Sequence, residues 1–255
     1  MNTSFKIVVP VRNSQEWVGK CIESIASQTY SGPWECLIVD DASTDETAEK
    51  IKDAIELIQS ETIRSKFKVK FNSKRVGALE NFIFGFKSLG SELDPESVLV
   101  QIDGDDWLFS HLALDIVDQA YNQTGCWMTW GNYIEWPIGV LGMAKPMPSE
   151  WHNNSDYRSR PWIMSHLRTF KSHLWHSIND KDLRDSDGNY YDVTWDLAHM
   201  YPMIEMAQER SCFIPYVLYS YNRNNPLSDD KIYRERQLKF EKEIREKIKY
   251  SRKIK

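Results

Sequence analysis

Val98-Leu-Val-Gln-Ile-Asp103-Gly-Asp105-Asp106-Trp107 carries an apolar strand straight into three carboxylates packed within four residues. Carboxylates this close repel one another, and a divalent cation between them lets them stay ionised. Hard oxygen ligands suit magnesium or manganese. Taken alone, the run also fits an acidic turn after a strand, where Asp and Gly are common for conformational reasons. Two further strands bear on the choice. Residues 5–10, Phe-Lys-Ile-Val-Val-Pro, open the chain, and residues 35–41, Glu-Cys-Leu-Ile-Val-Asp-Asp, again end in paired Asp. In open α/β sheets the ligand crevice lies outside the carboxyl ends of the strands, so both acidic groups would line one pocket.

The spacing predicts a helix over 14–28, with Trp17, Val18, Cys21, Ile22 and Ile25 at helical intervals. Ser43 and Glu46 fit a capping box that leads into a helix over 47–58. A strand over 66–71 and a helix over 77–89, with Leu79, Phe82, Ile83 and Phe86 on one face, precede the acid-tipped strand. Strands and helices alternate to about residue 120. The fold class is therefore α/β, a mostly parallel central sheet flanked by helices. After residue 126 the texture changes: Trp127, Trp130, Trp136, Trp151, Trp162 and Trp175 are interrupted by prolines with little periodicity. A partly buried helix is expected over 194–208, kinked or restarted at Pro202. A charged helix is expected over 229–255, with Phe240, Ile244 and Ile248 as a thin stripe.

With 255 residues the chain is long enough for one large domain with a full core, with or without an appendage. A net charge of -5 argues against general nucleic-acid binding. Cys21, Cys36, Cys126 and Cys212 form no CxxC pair and read as buried thiols in a reducing compartment. No window approaches the roughly 20 apolar residues of a membrane span, and no apolar signal core is evident, so a cytoplasmic setting is expected. From Lys242 onward seven Lys or Arg face two Glu. Such a helix is either solvated or a peripheral contact with an anionic membrane.

Four motifs, Ile7-Val-Val-Pro-Val-Arg-Asn13, Leu37-Ile-Val-Asp-Asp-Ala-Ser-Thr-Asp45, Arg75-Val-Gly-Ala-Leu-Glu-Asn81 and Gln101-Ile-Asp-Gly-Asp-Asp106, stand in an order and spacing that resemble the family 2 glycosyltransferases of GT-A fold. The resemblance is clearest over residues 5–120. It implies a GT-A Rossmann-like domain over 1–228, with 1–125 holding a nucleotide sugar and a loop-rich half, 126–228, holding the acceptor and the catalytic base, followed by the charged helix 229–255. It implies Mn2+ or Mg2+ as cofactor and a UDP-sugar as donor. The acceptor would be a glycan, a lipid-linked molecule or a protein.

By the same resemblance, Pro10, Arg12 and Asp40 or Asp41 surround the base and ribose, and Arg75 contacts the base or diphosphate. Asp103 and Asp105 match the DXD motif, Asp103 reaching the ribose or metal and Asp105 ligating the metal, with Gly104 between them and Asp106 behind. His166, with Arg168, is expected near the diphosphate or acceptor. Arg223 would belong to a loop over the diphosphate, with Asp230 as a further metal ligand. Breaking a sugar–diphosphate bond builds negative charge that a divalent cation stabilises. Inverting transfer also needs a carboxylate on the opposite face of the sugar to take the acceptor proton.

Asp196, in Val193-Thr-Trp-Asp-Leu, is the candidate base. The family carries an acid pair or related acid at this stage, whereas here Trp195 precedes it. Asp192 is the nearest rival and Glu205 a more distant one. As a first-turn acid, Asp196 would also favour the helix dipole. Trp107 and Trp130 are candidates for stacking on a sugar ring. Two other readings compete. A nucleotidyltransferase would need a Gly-rich triphosphate loop that is missing after the first strand. A non-catalytic sugar-binding member of the fold is countered by the intact Asp40, Asp41, Asp103 and Asp105.

Overall fold

The computed structural model describes residues 2–254, apart from the side chains of Asn154, Asp229 and Asp230. The apolar runs become β1 (Phe5–Val11), β2 (Trp34–Asp40), β3 (Phe67–Phe71) and β4 (Val98–Gln101), all mutually parallel where they pair. The rest of the sheet comes from β5 (Trp107–Leu108), β6 (Met128–Trp136), β7 (Val140–Leu141), β8 (Arg168–Lys171) and β9 (Ser211–Asn222). The order is β3-β2-β1-β4-β8-β6-β9-β5, with β7 on β6. Only β8, β5 and β7 run against the common direction.

Neighbouring residues on a strand face opposite sides of a sheet. Val8, Leu37, Val39 and Leu99 accordingly enter one apolar core, with Phe82, Phe86, Phe170 and the helix Trp195–Ala207. Ile7, Val9, Ile38 and Val100 enter the other, with Ile22, Ile25, Leu114 and Val117. Both faces are covered, which is why these strands read as nearly unbroken apolar runs.

The early helices, Val18–Ala26, Thr47–Glu56 and Ala78–Ser88, lie inside the expected spans. The capping box does not form. Ser43 instead donates its hydroxyl to Asp40, and Asp45 accepts from the Thr47 amide and hydroxyl. Helix Trp195–Ala207 runs through Pro202 as one element. Twelve of its thirteen residues are buried, so packing on all sides outweighs the missing proline N–H.

The expected helix over 229–255 is instead a four-residue helix, Asp229–Ile232, and a longer one, Arg234–Glu246, after which the chain leaves helical geometry. Phe240 and Ile244 pack into the first core, whereas Ile248 is 85% exposed. The tail is fastened by a buried ion pair. Arg158 Nε and Nη2 donate to Glu205 at 2.6 and 2.8 Å, Arg158 Nη1 donates to the Ile244 carbonyl at 2.6 Å, and the Tyr250 amide donates to Glu205 at 2.9 Å. Most basic groups of this segment bond to the body. Lys247 reaches the carbonyls of Lys181 and Arg184, Lys249 pairs with Asp156, and Arg252 pairs with Glu209. Among the described residues no helix is long and apolar enough to cross a membrane.

Glycine at 104 is set by the sheet. The β1–β4 register, Phe5 beside Val98, continues to place Gly104 beside Val11. A Cβ there would come within 2.4 Å of Val11 Cβ. Gly104→Ala should lower unfolding free energy by about 1–3 kcal/mol through overpacking. Glu205→Ala, which strands a buried guanidinium, should lower it by about 3–5 kcal/mol. Urea denaturation measures both.

Candidate active site

The carboxyl ends of β1, β2 and β4 open into a cleft of about 480 Å³ that also meets β9, the start of helix Trp195–Ala207 and the helix Arg234–Glu246. Pro10, Arg12, Asp41 and Arg75 line one end of it, with Arg12 and Arg75 exposed at the mouth. Asp103, Gly104, Asp105 and Asp106 form its floor, and His166, Arg168, Asp192 and Asp196 its far side.

Antiparallel pairing of β4 with β8 runs from Val98 opposite Lys171 to Gln101 opposite Arg168. Carried two residues past the strand ends, that register sets Asp103 opposite His166, and His166 Nε2 lies 3.6 Å from Asp103 Oδ2. The imidazole is buried, stacked on Tyr219 at 4.6 Å and on Tyr221 at 5.5 Å between ring centroids. Burial, and then the charge of Arg168, lower the His166 pKa and keep the ring neutral, the form that ligates metals.

Asp103, Asp106 and His166 each offer one ligand atom, and these atoms lie within 4.8 Å of one another. Asp106 accepts the Asn222 amide at 2.7 Å through Oδ1, while Oδ2 is buried without a hydrogen-bond partner. Burial, and then the charges of Asp105 and Asp103, push the Asp106 carboxyl well above the usual carboxylate range. An orphaned buried oxygen among like charges, beside a neutral imidazole, is a donor set that fits a hard or borderline divalent cation. Manganese and magnesium both fit this chemistry.

Asp105, expected as a ligand, falls outside this trio. Its Oδ2 accepts from Asn225 Nδ2 at 2.6 Å, and burial pushes its pKa up to about 6. Residues 103–106 form a tight turn in which the Asp106 amide donates to the Asp103 carbonyl at 2.9 Å, and this turn, by breaking the strand alternation, brings Asp106 rather than Asp105 beside Asp103. Strand alternation at the end of β2 separates the earlier pair. Asp41 faces the cleft and accepts from the amides of Val76 and Gly77, both at 2.9 Å, and from Asn72. Burial works to raise its pKa, but these donors outweigh it and hold the carboxyl low. Asp40, as buried as Asp41, is not among the residues that line the cleft and holds the amide and hydroxyl of Ser43.

Asp196 is the only residue of its helix that is not buried, and it lies in the first turn. Its Oδ2 accepts from Arg168 Nη2 at 2.9 Å. The helix starts after Thr194, whose side chain makes no cap, so Asp196 is a first-turn acid rather than the cap. Asp192 pairs with Arg236 at 2.9 Å and keeps its Oδ1 buried without a partner. Glu205 is committed to Arg158 inside the core, which removes it as a base.

Arg223 is absent from the cleft lining. Its amide donates to the Trp136 carbonyl at 2.9 Å, and its guanidinium lies over Tyr221. The Asp230 side chain lies outside the described residues. Trp107 and Trp130 are buried away from the cleft. Lys20 sits 3.7 Å over the Trp107 ring, and Trp130 Nε1 donates to the Lys145 carbonyl. The aromatic residues that do reach the cleft are Trp162, Trp195 and Tyr221.

The model of the family described as glycosyl transferase family 2 matches residues 6–181, more than half of the chain. A search of curated protein sequences found no match. Among solved structures, S. aureus TarS 1–349 in complex with UDP superposes with a TM-score of 0.60 at 16% identity, over 94% of this chain and 65% of that one. A further structure of TarS 1–349 gives 0.59 at 15% identity, over 86% and 60%. The mannosyltransferase PcManGT from Pyrobaculum calidifontis, in complex with GDP-Man and Mn2+, gives 0.60 at 18% identity, over 98% and 66%. This chain thus spans 60% to 66% of the length of these structures, and at such identity the likeness is one of fold. The architecture is GT-A. The matched span contains the acid-tipped strand and His166, and the chain belongs to glycosyl transferase family 2.

Proposed function

We propose that the protein transfers a sugar from a nucleoside diphosphate donor, with UDP as the nucleotide, to an acceptor hydroxyl by a single displacement that inverts the anomeric centre. The observation that carries this reading is one cleft that joins the Asp103, Asp106 and His166 trio to an acid, Asp196, held by a buried arginine. The complexes of structural neighbours with UDP, and with GDP-Man and Mn2+, support the donor class.

A divalent cation bound at the trio supplies charge compensation for the diphosphate as it departs. The chain's own residues do the rest. Asp103, Asp106 and His166 hold the cation site, and the Asn222 amide at the end of β9 and the Asn225 side chain just after it fix Asp106 and Asp105. Asp41 orders the Asn72–Gly77 turn that carries Arg75, and Arg12 and Arg75 add positive charge at the mouth. As the acceptor oxygen bonds to the anomeric carbon, the bond to the diphosphate oxygen breaks and its electron pair leaves with the diphosphate. Asp196 takes the acceptor proton, and Arg168 fixes the orientation of that carboxylate.

Asp196→Asn should reduce kcat by about 10²- to 10⁴-fold while the UDP dissociation constant stays within error, as measured by nucleotide release and calorimetry. Near-normal turnover would remove Asp196 as the base. Asp106→Asn and His166→Ala should each weaken Mn2+ binding by about tenfold or more, and Asp105→Asn by less, in a calorimetric Mn2+ titration. Equal or larger loss in Asp105→Asn would return the ligand role to Asp105.

A further inference from the structure

The helix Arg234–Glu246 lies beyond the residues matched by the family model, yet it forms one wall of the cleft with Arg234, Gln237 and Glu241. It is fastened to the segment that leads into the base-bearing helix. Arg236 pairs with Asp192, Tyr191 donates its hydroxyl to Glu243 at 2.8 Å, and the Thr194 hydroxyl donates to the Gln237 carbonyl at 3.4 Å. The wall therefore stands on the same side as Asp196, opposite the nucleotide motifs.

We infer that this wall is the acceptor subsite and that it is built for a saccharide, whose hydroxyl is the group that attacks; the inference rests on the donor chemistry proposed above. Three observations point to a sugar. Trp162 and Trp195 give the cleft aromatic surface, against which the C–H face of a pyranose packs. Trp162 is the more open of the two, packed edge-on against Tyr201. The carboxylates here are already neutralised within the chain: Asp192 by Arg236, Glu241 by Arg245 and Asp196 by Arg168. A cationic acceptor, such as a basic peptide or an amine, would need an uncompensated acid. A neutral hydroxyl needs only a free lone pair or an N–H.

Those are present. Asp192 Oδ1 is buried with no hydrogen-bond partner, an acceptor oxygen lacking a donor. Gln237 offers a side-chain amide that both donates and accepts, and Arg234 forms no ion pair among the described residues. An aromatic face, an orphaned carboxylate oxygen and a two-way amide together match the amphipathic ring and alternating hydroxyls of a sugar. They do not match a lipid chain, which has no hydrogen-bonding groups to offer them.

The test measures UDP release by the full chain with Mn2+ and UDP-sugar, alone, with methyl glycosides and disaccharides of the common hexoses and N-acetylhexosamines, or with a Ser- and Thr-rich peptide mixture. UDP binding is followed in parallel by calorimetry. The saccharides should accelerate release, and Gln237→Ala and Trp162→Ala should each raise the saccharide KM about five- to tenfold with UDP affinity unchanged. Gln237 is partly exposed, so its variant tests the subsite without a packing defect. UDP binding without acceleration by any saccharide, acceleration by peptide alone, or an unchanged KM in both variants would overturn the inference and leave the donor reading standing. Failure to bind UDP would strike the donor reading itself, and this inference with it.

Discussion

Three carboxylates at the end of one buried strand are the constraint around which this cleft is arranged. Asp103, Asp105 and Asp106 cannot disperse, because the β1–β4 register holds Gly104 against Val11 and Pro10. The surroundings deal with each acid differently. Asn225 satisfies Asp105, Asn222 takes one oxygen of Asp106, and Tyr219 accepts from the Asp103 amide at 3.0 Å. What remains is an excess of negative charge facing a neutral, aromatic-stacked His166. A bound cation inverts the local electrostatics of such a site, so this arrangement carries the charge pattern that a metal would complete.

The second half of the site depends on how β8 enters the sheet. Its antiparallel insertion between β4 and β6 brings His166 and Arg168 to the end of the acid-tipped strand. Arg168 then reaches Asp196, and His199, one turn further along the same helix, lies 3.0 Å from the Gln101 side chain of β4. The helix that carries the proposed base is thus referenced to the strand that leads into the proposed cation ligands. The Arg158–Glu205 pair and the C-terminal tail brace that helix from its other end.

The parts legible in the sequence are those governed by short-range pattern. Apolar runs covered on both sides announced β1, β2 and β4, and the acids at their ends announced the crevice. Asp196 was visible as an acid opening an apolar helix, and the structure adds that it is the one residue of that helix left unburied. The rest depends on register between distant segments. Asp106 rather than Asp105 joins His166 because of the turn geometry after β4, and Asp41 rather than Asp40 faces the cleft because adjacent residues point to opposite sides. The run Tyr221-Asn-Arg-Asn-Asn225, which ends β9 and leaves it, carries only a partial signal: Asn225 grips the Asp105 carboxylate with its side-chain amide, whereas Asp106 is held by the Asn222 backbone N–H, a donor that residue type does not announce. The role of helix Arg234–Glu246 was hidden by its charged composition, since only tertiary packing reveals which polar face meets a cleft.

A crystal soaked with UDP and Mn2+, with diffraction recorded for the manganese anomalous signal, tests the central claim most directly. The account predicts one anomalous peak in contact with Asp103, Asp106 and His166, with the diphosphate on the same peak and Asp196 across the cleft from it. A peak centred on the Asp105 carboxylate without His166, or UDP bound with no peak, would contradict it.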